Sequence, residues 1–233
     1  WANAKFIAYF QANTNTYAPI ERLKECFEPF VERKDCIGIS IATRSDSITD
    51  ECLEYLESIN KRTYLIVELG LQTIHKETSK LINRCSTLDN FDKMVKKLKQ
   101  KNINVVVHII NGLPYETEEM MIATIKHLNA LNINGIKIHM LGILKDTPLE
   151  FFYKKHKFHI LTKEEYANIV VKQLEYLNPK IIIHRLTEDP NPNQLIEPSW
   201  LTKKFTILNE IDKIMNAKNI YQGDKIKEKK TNE

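Results

Sequence analysis

The sequence predicts an α/β fold in which parallel strands alternate with helices. Six short apolar runs, rich in β-branched residues, recur along the 233 residues. Five of them are almost continuously apolar, which is typical of strands covered on both faces. The segments between them carry apolar residues at helical spacing. Because strand and helix alternate in units of roughly 30 to 45 residues, right-handed crossovers and a parallel sheet are expected.

The elements follow in order along the chain. Strands are predicted at 6–10, 37–41, 64–69, 103–110, 136–141 and 181–186. Helical stripes are predicted at Leu23 to Phe30, Cys52 to Ile59, 76–83, 87–100 and 117–131. Thr162 and Glu165 have the spacing of a capping box and begin a further helix that ends near Leu177. A proline-broken loop at 187–200 then leads to a final helix at about 201–217.

Composition and charge are those of a soluble globular protein, with 42% hydrophobic and 27% charged residues. No apolar stretch is long enough to span a membrane. The four cysteines are widely spaced, which fits neither a disulfide framework nor a CxxC metal site, so a reducing, cytoplasmic setting is expected. Residues 1–223 are expected to form one core with a C-terminal helical extension, and 224–233 a basic, disordered tail.

Polar residues stand at the carboxyl end of every predicted strand, where parallel α/β sheets place their sites. Because buried charges and amides are costly unless something pairs with them, a ligand site is expected there. His108, His139 and His184 lie on three of these strands, but no HxH or HExxH spacing indicates a metal site. The motifs of serine hydrolases, dinucleotide sites and P-loops do not occur.

Seven blocks of the sequence resemble the radical S-adenosylmethionine (SAM) superfamily, and specifically its YhcC/YtqA-like iron-sulfur oxidoreductases, which are related to the Elongator catalytic-subunit branch. The blocks are YFQANTNTYAP (9–19), SIATRSD (40–46), 67–84, HIINGLPYET (108–117), 135–150, 182–192 and NIYQG (219–223). The resemblance implies a partial, TIM-like (β/α)6 barrel of parallel strands. It also implies a [4Fe-4S] cluster that cleaves SAM reductively and yields a 5′-deoxyadenosyl radical.

The resemblance further implies contacts to the amino acid part of SAM. Gln11 and Asn13 stand where the superfamily's Gly-Gly-Glu-like segment accepts hydrogen bonds from the SAM amino group. Thr43 and Arg44 stand near the position of the SAM carboxylate, which suits a forked cationic donor.

Other positions correspond to the nucleoside part and to the substrate. Glu68 and Gln72 resemble the pair that contacts the ribose and sulfonium region, and Ile110, Gly112 and Leu113 resemble the adenine-contacting segment. The candidates on the substrate side are Lys137, His139, His184 and Arg185. No residue is assigned a catalytic role.

The superfamily's CxxxCxxC cluster motif is not present. Three of the cysteines fall within or beside predicted helices and Cys36 immediately precedes a strand, so none substitutes for the motif. We therefore expect that the first strand and the cluster loop lie before Trp1, and that this chain is the C-terminal portion of an enzyme and is inactive alone. Its expected partners are SAM and an electron donor such as flavodoxin or ferredoxin. No association with a membrane is expected.

Three further expectations concern alternatives and partners. A ligand-binding protein on a degenerate barrel, or a metal-dependent hydrolase using the strand histidines, would also fit the polar strand ends. RNA, such as a tRNA wobble uridine, is a possible substrate because of the Elongator relationship and the basic balance, although no aromatic platform interleaved with basic residues is recognised in the sequence. An incomplete barrel leaves an unpaired edge, so self-association of this chain is expected.

Overall fold

The structure is a computed structural model that describes residues 4–226. Residues 1–3 and 227–233, the latter comprising most of the predicted basic tail, lie outside the described residues. The strands are β1 (Phe6–Phe10), β2 (Cys36–Thr43), β3 (Tyr64–Gln72), β4 (Asn104–Asn111), β5 (Gly135–Met140), β6 (Ile143–Leu144), β7 (Ile182–Arg185) and β8 (Leu195–Glu197). The helices are α1 (Ile20–Val31), α2 (Asp50–Asn60), α3 (Lys76–Leu81), α4 (Leu88–Gln100), α5 (Glu118–Ala130), α6 (Pro148–His156), α7 (Lys163–Tyr176) and α8 (Lys204–Lys218).

Six strands form one parallel sheet in the order β1-β2-β3-β4-β5-β7, which confirms the predicted α/β class. Between β1 and β2, Tyr9 lies opposite Ser40, and between β2 and β3, Ala42 lies opposite Glu68. The remaining two strands, β6 and β8, pair antiparallel with each other.

The chain divides into two compact units. The first contains residues up to Leu71 with Arg84–His108 and Ile133–Gly135, and the second contains Gln72–Asn83, Ile109–Asn132 and the residues from Ile136 onward. Strand β4 therefore contributes to both.

The core of the first unit forms where α1 packs on the sheet. The Phe10 ring lies 4.8 Å from the buried Phe27 ring and 5.4 Å from that of Phe30, both in edge-to-face geometry. Strands β2 and β3 approach so closely at Gly38 that a Cβ there would lie 2.7 Å from the Tyr64 carbonyl oxygen. A glycine is therefore required at this point of β2.

The second unit is built around α7. The predicted capping box is confirmed, because the Thr162 hydroxyl accepts from the Glu165 N–H and the Glu165 carboxylate accepts from the Thr162 N–H. Between β4 and α7, the fully buried amides of Asn111 and Gln173 exchange hydrogen bonds of 2.7 and 2.9 Å. The start of the predicted tail is fixed to this helix, since the Lys225 N–H donates to the Glu175 carbonyl oxygen at 2.8 Å.

The structure differs from the sequence-based expectation around residues 141–204. The pair β6 and β8 and the helix α6 were not predicted, and the last helix begins at Lys204, after a short 3-10 turn at Ser199–Thr202. Helix α6 has clear local determinants, because the Thr147 hydroxyl accepts from the Glu150 N–H and Pro148 stands in the first turn.

Candidate functional site

The loop after β1 is tied to the end of β2 by one amide. The Asn15 side chain donates to the Phe10 carbonyl oxygen at 2.9 Å and to the Ala42 carbonyl oxygen at 2.8 Å. The Asn15 backbone N–H also donates to Ala42, at 3.3 Å. The chain that leaves β1 is therefore held against β2 rather than extending into solvent.

Three buried hydroxyls hold the same two loops together. The Thr16 oxygen lies 2.6 Å from that of Thr43 and 2.7 Å from that of Ser47, and the last two are 3.0 Å apart. The Ser47 hydroxyl also lies 2.8 Å from the Arg44 carbonyl oxygen and donates to it. Thr43, predicted near the SAM carboxylate, is buried and bonded within this group, so it positions the loop.

The residues predicted to contact the methionyl end of SAM, apart from Thr43, are exposed on these fastened loops. Gln11 and Asn13 are exposed, and Asn13 has φ 63°, a left-handed conformation that asparagine tolerates. Arg44 is exposed too, and its guanidinium pairs with the Asp46 carboxylate, with Nε 3.0 Å from Oδ1. This hydrogen bond lowers the pKa of Asp46. The loops thus present a forked cation and two amides close to strand ends.

A buried carboxylate lies deeper in the first unit, at Glu68 on β3, with only 4% of its surface exposed. Its Oε2 accepts from the Tyr9 hydroxyl at 2.9 Å and contacts His108 Nε2 at 2.7 Å, and its Oε1 accepts from the Ser40 hydroxyl at 2.8 Å. These four residues, the Glu68 network, come from four neighbouring strands. Tyr9 and Ser40 were not predicted as site residues, because only the strand register places them in a row with Glu68.

The predicted adenine segment lies in the second unit, where Gln72 also falls, with φ 59° at the end of β3. Leu113 is buried in an apolar cluster with Ile143 and Phe158, and Ile110 packs against that cluster. Gly112 has φ 80°. It is a position where a side chain would be strained.

A second pairing of histidine and glutamate lies in the same unit. His139 Nδ1 contacts the Glu188 carboxylate, and Arg185 Nη1 lies 3.2 Å from the other Glu188 oxygen. Burial raises the pKa of Glu188, but the hydrogen bond and charge of His139, with smaller contributions from the Asp189 N–H and Arg185, lower it to about 2. Lys137 lies on the same face of β5 as His139, two residues away.

A cavity of about 310 Å³ lies beside this pair. It is lined by Ile183, His184, Arg185, Leu186, Thr187, Glu188, Asp189, Lys204 and Leu208. The predicted substrate-side residues His184 and Arg185 therefore share one cavity. Its lining holds charges of both signs, which suits a polar molecule.

The loop after β4 holds Glu116, a carboxylate whose pKa is raised, whereas that of Glu188 is lowered. Glu116 accepts from the Thr73 hydroxyl at 2.5 Å. Burial raises the pKa of Glu116, an effect that hydrogen bonds from Thr73 and Thr78 and the charge of His75 partly offset. Sequence reasoning assigned no role to this residue, although it lies in the block at 108–117.

The structure corrects one sequence-based expectation, that no aromatic platform interleaved with basic residues exists. The Tyr115 ring lies 6.4 Å from that of Phe152, and the His156 ring stacks on Phe152 at 4.4 Å and 27°. Lys155 and Lys157 flank these rings and are exposed. Phe152, Lys155, His156 and Lys157 are close together in the sequence, and only Tyr115 comes from a distant segment.

A metal centre would need several ligating side chains close together. Within residues 4–226 no three or more His, Cys, Asp or Glu side chains are grouped to hold a metal ion. None of the four cysteines is part of a disulfide, and they differ in burial, from buried Cys36 and Cys52 to exposed Cys85. The part of the chain that the structure describes therefore does not supply the ligands of an iron-sulfur cluster. Of the described helices, none has the length and apolarity needed to cross a membrane.

Comparison with known proteins agrees with this fold. Residues 3–128 match the model of the radical SAM superfamily, and residues 133–217 match that of the radical SAM C-terminal domain. The chain is 45% identical to YtqA of Bacillus subtilis (strain 168) over 223 residues, which cover 96% of this chain and 69% of YtqA. It is 24% identical over 138 residues to a tRNA uridine(34) acetyltransferase of Methanocaldococcus infernus, covering 58% of this chain and 25% of that protein.

A solved structure shows the same fold. The archaeal Methanocaldococcus infernus Elp3 with an N-terminal deletion has a TM-score of 0.80 and 20% identity, and the match covers 94% of this chain and 56% of that one. This confirms the predicted partial, TIM-like radical SAM barrel as the fold class. The chain thus spans little more than half the length of that structure.

Proposed function

Because this chain belongs to the radical SAM superfamily, an enzyme family that uses SAM for radical chemistry, we propose that it forms most of the SAM site of such an enzyme. The proposed reaction is the reductive cleavage of SAM at a [4Fe-4S] cluster, with a flavodoxin or ferredoxin as electron donor. The radical that SAM supplies would abstract hydrogen from a bound substrate.

The observation that carries this proposal is the pair of fastened loops after β1 and β2. The methionyl end of SAM carries one ammonium and one carboxylate group. The amide oxygens of Gln11 and Asn13 suit the ammonium. The Arg44 guanidinium suits the carboxylate, which would replace Asp46 as its ion-pair partner. The hydroxyl group of Thr43 holds the Arg44 loop in place before the ligand arrives. Such preorganisation lowers the entropic cost of binding.

In the second unit, we propose on the ground of the resemblance that Ile110, Gly112 and Leu113 contact the adenine ring. Gly112 carries no side chain, which leaves room for Met140 and Leu161, and Leu113 anchors the segment in the apolar cluster. This chain's own part in the reaction is to bind and orient SAM and to hold the substrate. No step is assigned to the cluster, because the described residues do not supply its ligands.

We assign the substrate side to Lys137, His139, His184 and Arg185, and we propose that Glu68 and Gln72 contact the ribose and sulfonium region of SAM. The Glu188 carboxylate fixes the His139 imidazole, which can then hold or accept a proton from a polar substrate group. RNA is the proposed substrate class, on the ground that a relative is named as a tRNA uridine(34) acetyltransferase and that the net charge is +4.

Isothermal titration of the chain with SAM tests the binding site. Arg44→Gln should weaken SAM binding by about tenfold to 100-fold, because a hydrogen bond to a charged group contributes roughly 1.5–3 kcal/mol. Arg33→Gln is the matched control, since Arg33 forms a similar exposed pair with Asp35. SAM that does not bind, or that binds the Arg44 variant as tightly as the original chain, would contradict the site.

The reaction is tested separately, in an anaerobically reconstituted preparation of the protein that contains this chain. We expect 5′-deoxyadenosine to form from SAM when a reductant is added. Binding of SAM without any cleavage under these conditions would favour the ligand-binding alternative over the enzyme.

A further inference from the structure

The platform described above is an unusual surface for a folded chain. Tyr115 is 63% exposed and His156 is exposed as well, although large aromatic side chains normally bury most of their area. Exposed apolar groups that lie together mark interaction sites more often than isolated ones do. We define the platform as Tyr115, Phe152, His156 and the lysines 155 and 157.

The rings of the platform are held in place from beneath. Phe158 is buried in the apolar cluster, and its ring lies 6.4 Å from Tyr115 and 6.0 Å from Phe152. Phe152 in turn supports the stacked, exposed ring of His156. The exposed rings therefore rest on core residues rather than on a mobile chain.

The backbone at Tyr115 adds a second, independent observation. Its φ is 65°, in the left-handed region that a tyrosine rarely adopts. Such strain costs free energy and clusters at ligand-binding positions. The strained backbone places the Tyr115 ring against Phe152, where one edge packs and the rest stays exposed.

The charge of the platform is uniformly positive. The segment 151–163 contains four lysines and two histidines and no acidic residue. Lys154 pairs with Glu150 and Lys163 with Glu164, whereas Lys157 lies 4.9 Å from the Tyr153 ring. Among the described residues, no carboxylate forms an ion pair with Lys155 or Lys157. These two ammonium groups are therefore available to an anionic partner.

We propose that the platform binds an unpaired, single-stranded stretch of RNA, whose bases stack on Tyr115 and His156 and whose phosphates contact Lys155 and Lys157. Exposed aromatic rings accept unstacked bases of any sequence, and flanking lysines neutralise the backbone. An acidic peptide would match the lysines but has no flat rings for the aromatic side chains. This inference rests on the proposed function, because it gives the RNA substrate a binding surface.

The platform is joined to the predicted adenine segment through the same loop. Tyr115 follows Gly112 and Leu113 after β4, and Leu113 shares its apolar cluster with Phe158. RNA held on the platform would therefore contact the loop that is proposed to hold SAM. The platform is a binding surface and needs no chemistry of its own.

The test is fluorescence anisotropy of a labelled RNA hairpin with a single-stranded loop, titrated with the chain in the absence of SAM. Tyr115→Ala and His156→Ala should each weaken binding by about 5- to 150-fold, the range measured when a stacking side chain is removed. Lys155→Ala and Lys157→Ala should each lower the slope of log affinity against log salt by about 1. All four side chains are exposed, so these variants are expected to fold.

The control substitutions lie on α8, at Phe205 and Lys218. Both are exposed, and Phe205 also has a neighbouring lysine, with Lys204 Nζ 5.6 Å from its ring. Phe205→Ala and Lys218→Ala should leave the affinity for the hairpin unchanged. A loss equal to that of the platform variants would place RNA elsewhere and overturn the inference.

The remaining outcomes separate this inference from the proposed function. Absence of RNA binding together with SAM binding would overturn the platform and leave the SAM site standing. RNA binding without SAM binding would support the platform and contradict the SAM site. Equal binding of a fully double-stranded RNA, of a DNA hairpin of the same sequence, or of polyglutamate would overturn a role in recognising single-stranded RNA.

Discussion

The Glu68 network supports a quantitative prediction about the substitution Glu68→Gln. The carboxylate accepts hydrogen bonds from the hydroxyls of Tyr9 and Ser40 and contacts a ring nitrogen of His108. Glutamine keeps the shape but has no charge, and its NH₂ group replaces one accepting oxygen. If that NH₂ faces Ser40, the serine hydroxyl can rotate to accept from it, whereas Tyr9 and His108 keep an oxygen.

The magnitude follows from the kind of hydrogen bond that is lost. A bond to a charged group contributes roughly 1.5–3 kcal/mol and a neutral one roughly 0.5–1.5 kcal/mol, so three partners would lose about 3 kcal/mol. Removing a buried charge offsets part of this loss. We therefore expect Glu68→Gln to lower the free energy of unfolding by about 1–2 kcal/mol. Glu68→Ala should cost about 3–4 kcal/mol, because it also removes the acceptor of the buried Ser40 hydroxyl and leaves a cavity.

Urea unfolding at neutral pH, followed by circular dichroism, measures both losses. The control is Glu54→Gln on the exposed face of α2, which should change the free energy of unfolding by no more than about 0.5 kcal/mol. A double-mutant cycle of Glu68→Gln with Ser40→Ala should give a coupling energy of about 0.5–1.5 kcal/mol. A Glu68→Gln variant as stable as the original chain, with no coupling to Ser40, would refute the reasoning.

Two further predictions concern pH. Glu188 has a folded-state pKa of about 2, below its usual 4.5, so its contribution to stability is present above pH 4.5 and is lost as the pH falls from 4.5 to 2. Glu188→Gln should therefore destabilise the chain at pH 7 by about 1–2 kcal/mol after allowance for solvent screening, and the difference should shrink below pH 4.5 in thermal unfolding. Glu116 has a raised pKa, so its contribution is present below pH 4.5 and is lost as the pH rises through the raised value. Glu116→Gln should thus stabilise the chain at pH 7 by about 1 kcal/mol and keep the Thr73 hydrogen bond, with no gain at pH 4.

These two substitutions act as controls for each other, since both replace a partly buried glutamate in the second unit. At pH 7 we expect the two substitutions to change the free energy of unfolding in opposite directions. A stabilising Glu188→Gln would show that His139 does not favour the ionised carboxylate, and a destabilising Glu116→Gln would show that the Thr73 bond outweighs burial.

The regular elements could be predicted because their signals are local. The β4 run is apolar without interruption, and Thr162 and Glu165 carry the start of α7 within four residues. Helix α6 gave no such signal, because Phe151, Phe152 and Tyr153 are adjacent instead of spaced by three or four. Its start depends on Thr147 and Pro148, which mark a cap only once the helix is known.

The resemblance assigned positions to the candidate site, but it gave none of the contacts that the structure shows. The resemblance gave Glu68 and Arg44, since each stands in a recognisable block. Neither the pairing of Glu68 with Tyr9 nor that of His139 with Glu188 could be read from the sequence. Each joins residues about 50 or 60 positions apart, and depends on strand register and loop path rather than on spacing.

The fastened loops after β1 and β2 divide their residues into two kinds. Asn15, Thr16 and Ser47 use their side chains on neighbouring loop and strand atoms, so they form a frame. The side chains of Gln11 and Arg44 reach solvent from that frame, and Arg44 contributes to the frame only through its carbonyl oxygen, which accepts from Ser47. Either exposed side chain can therefore be replaced while the hydrogen bonds of the turn remain.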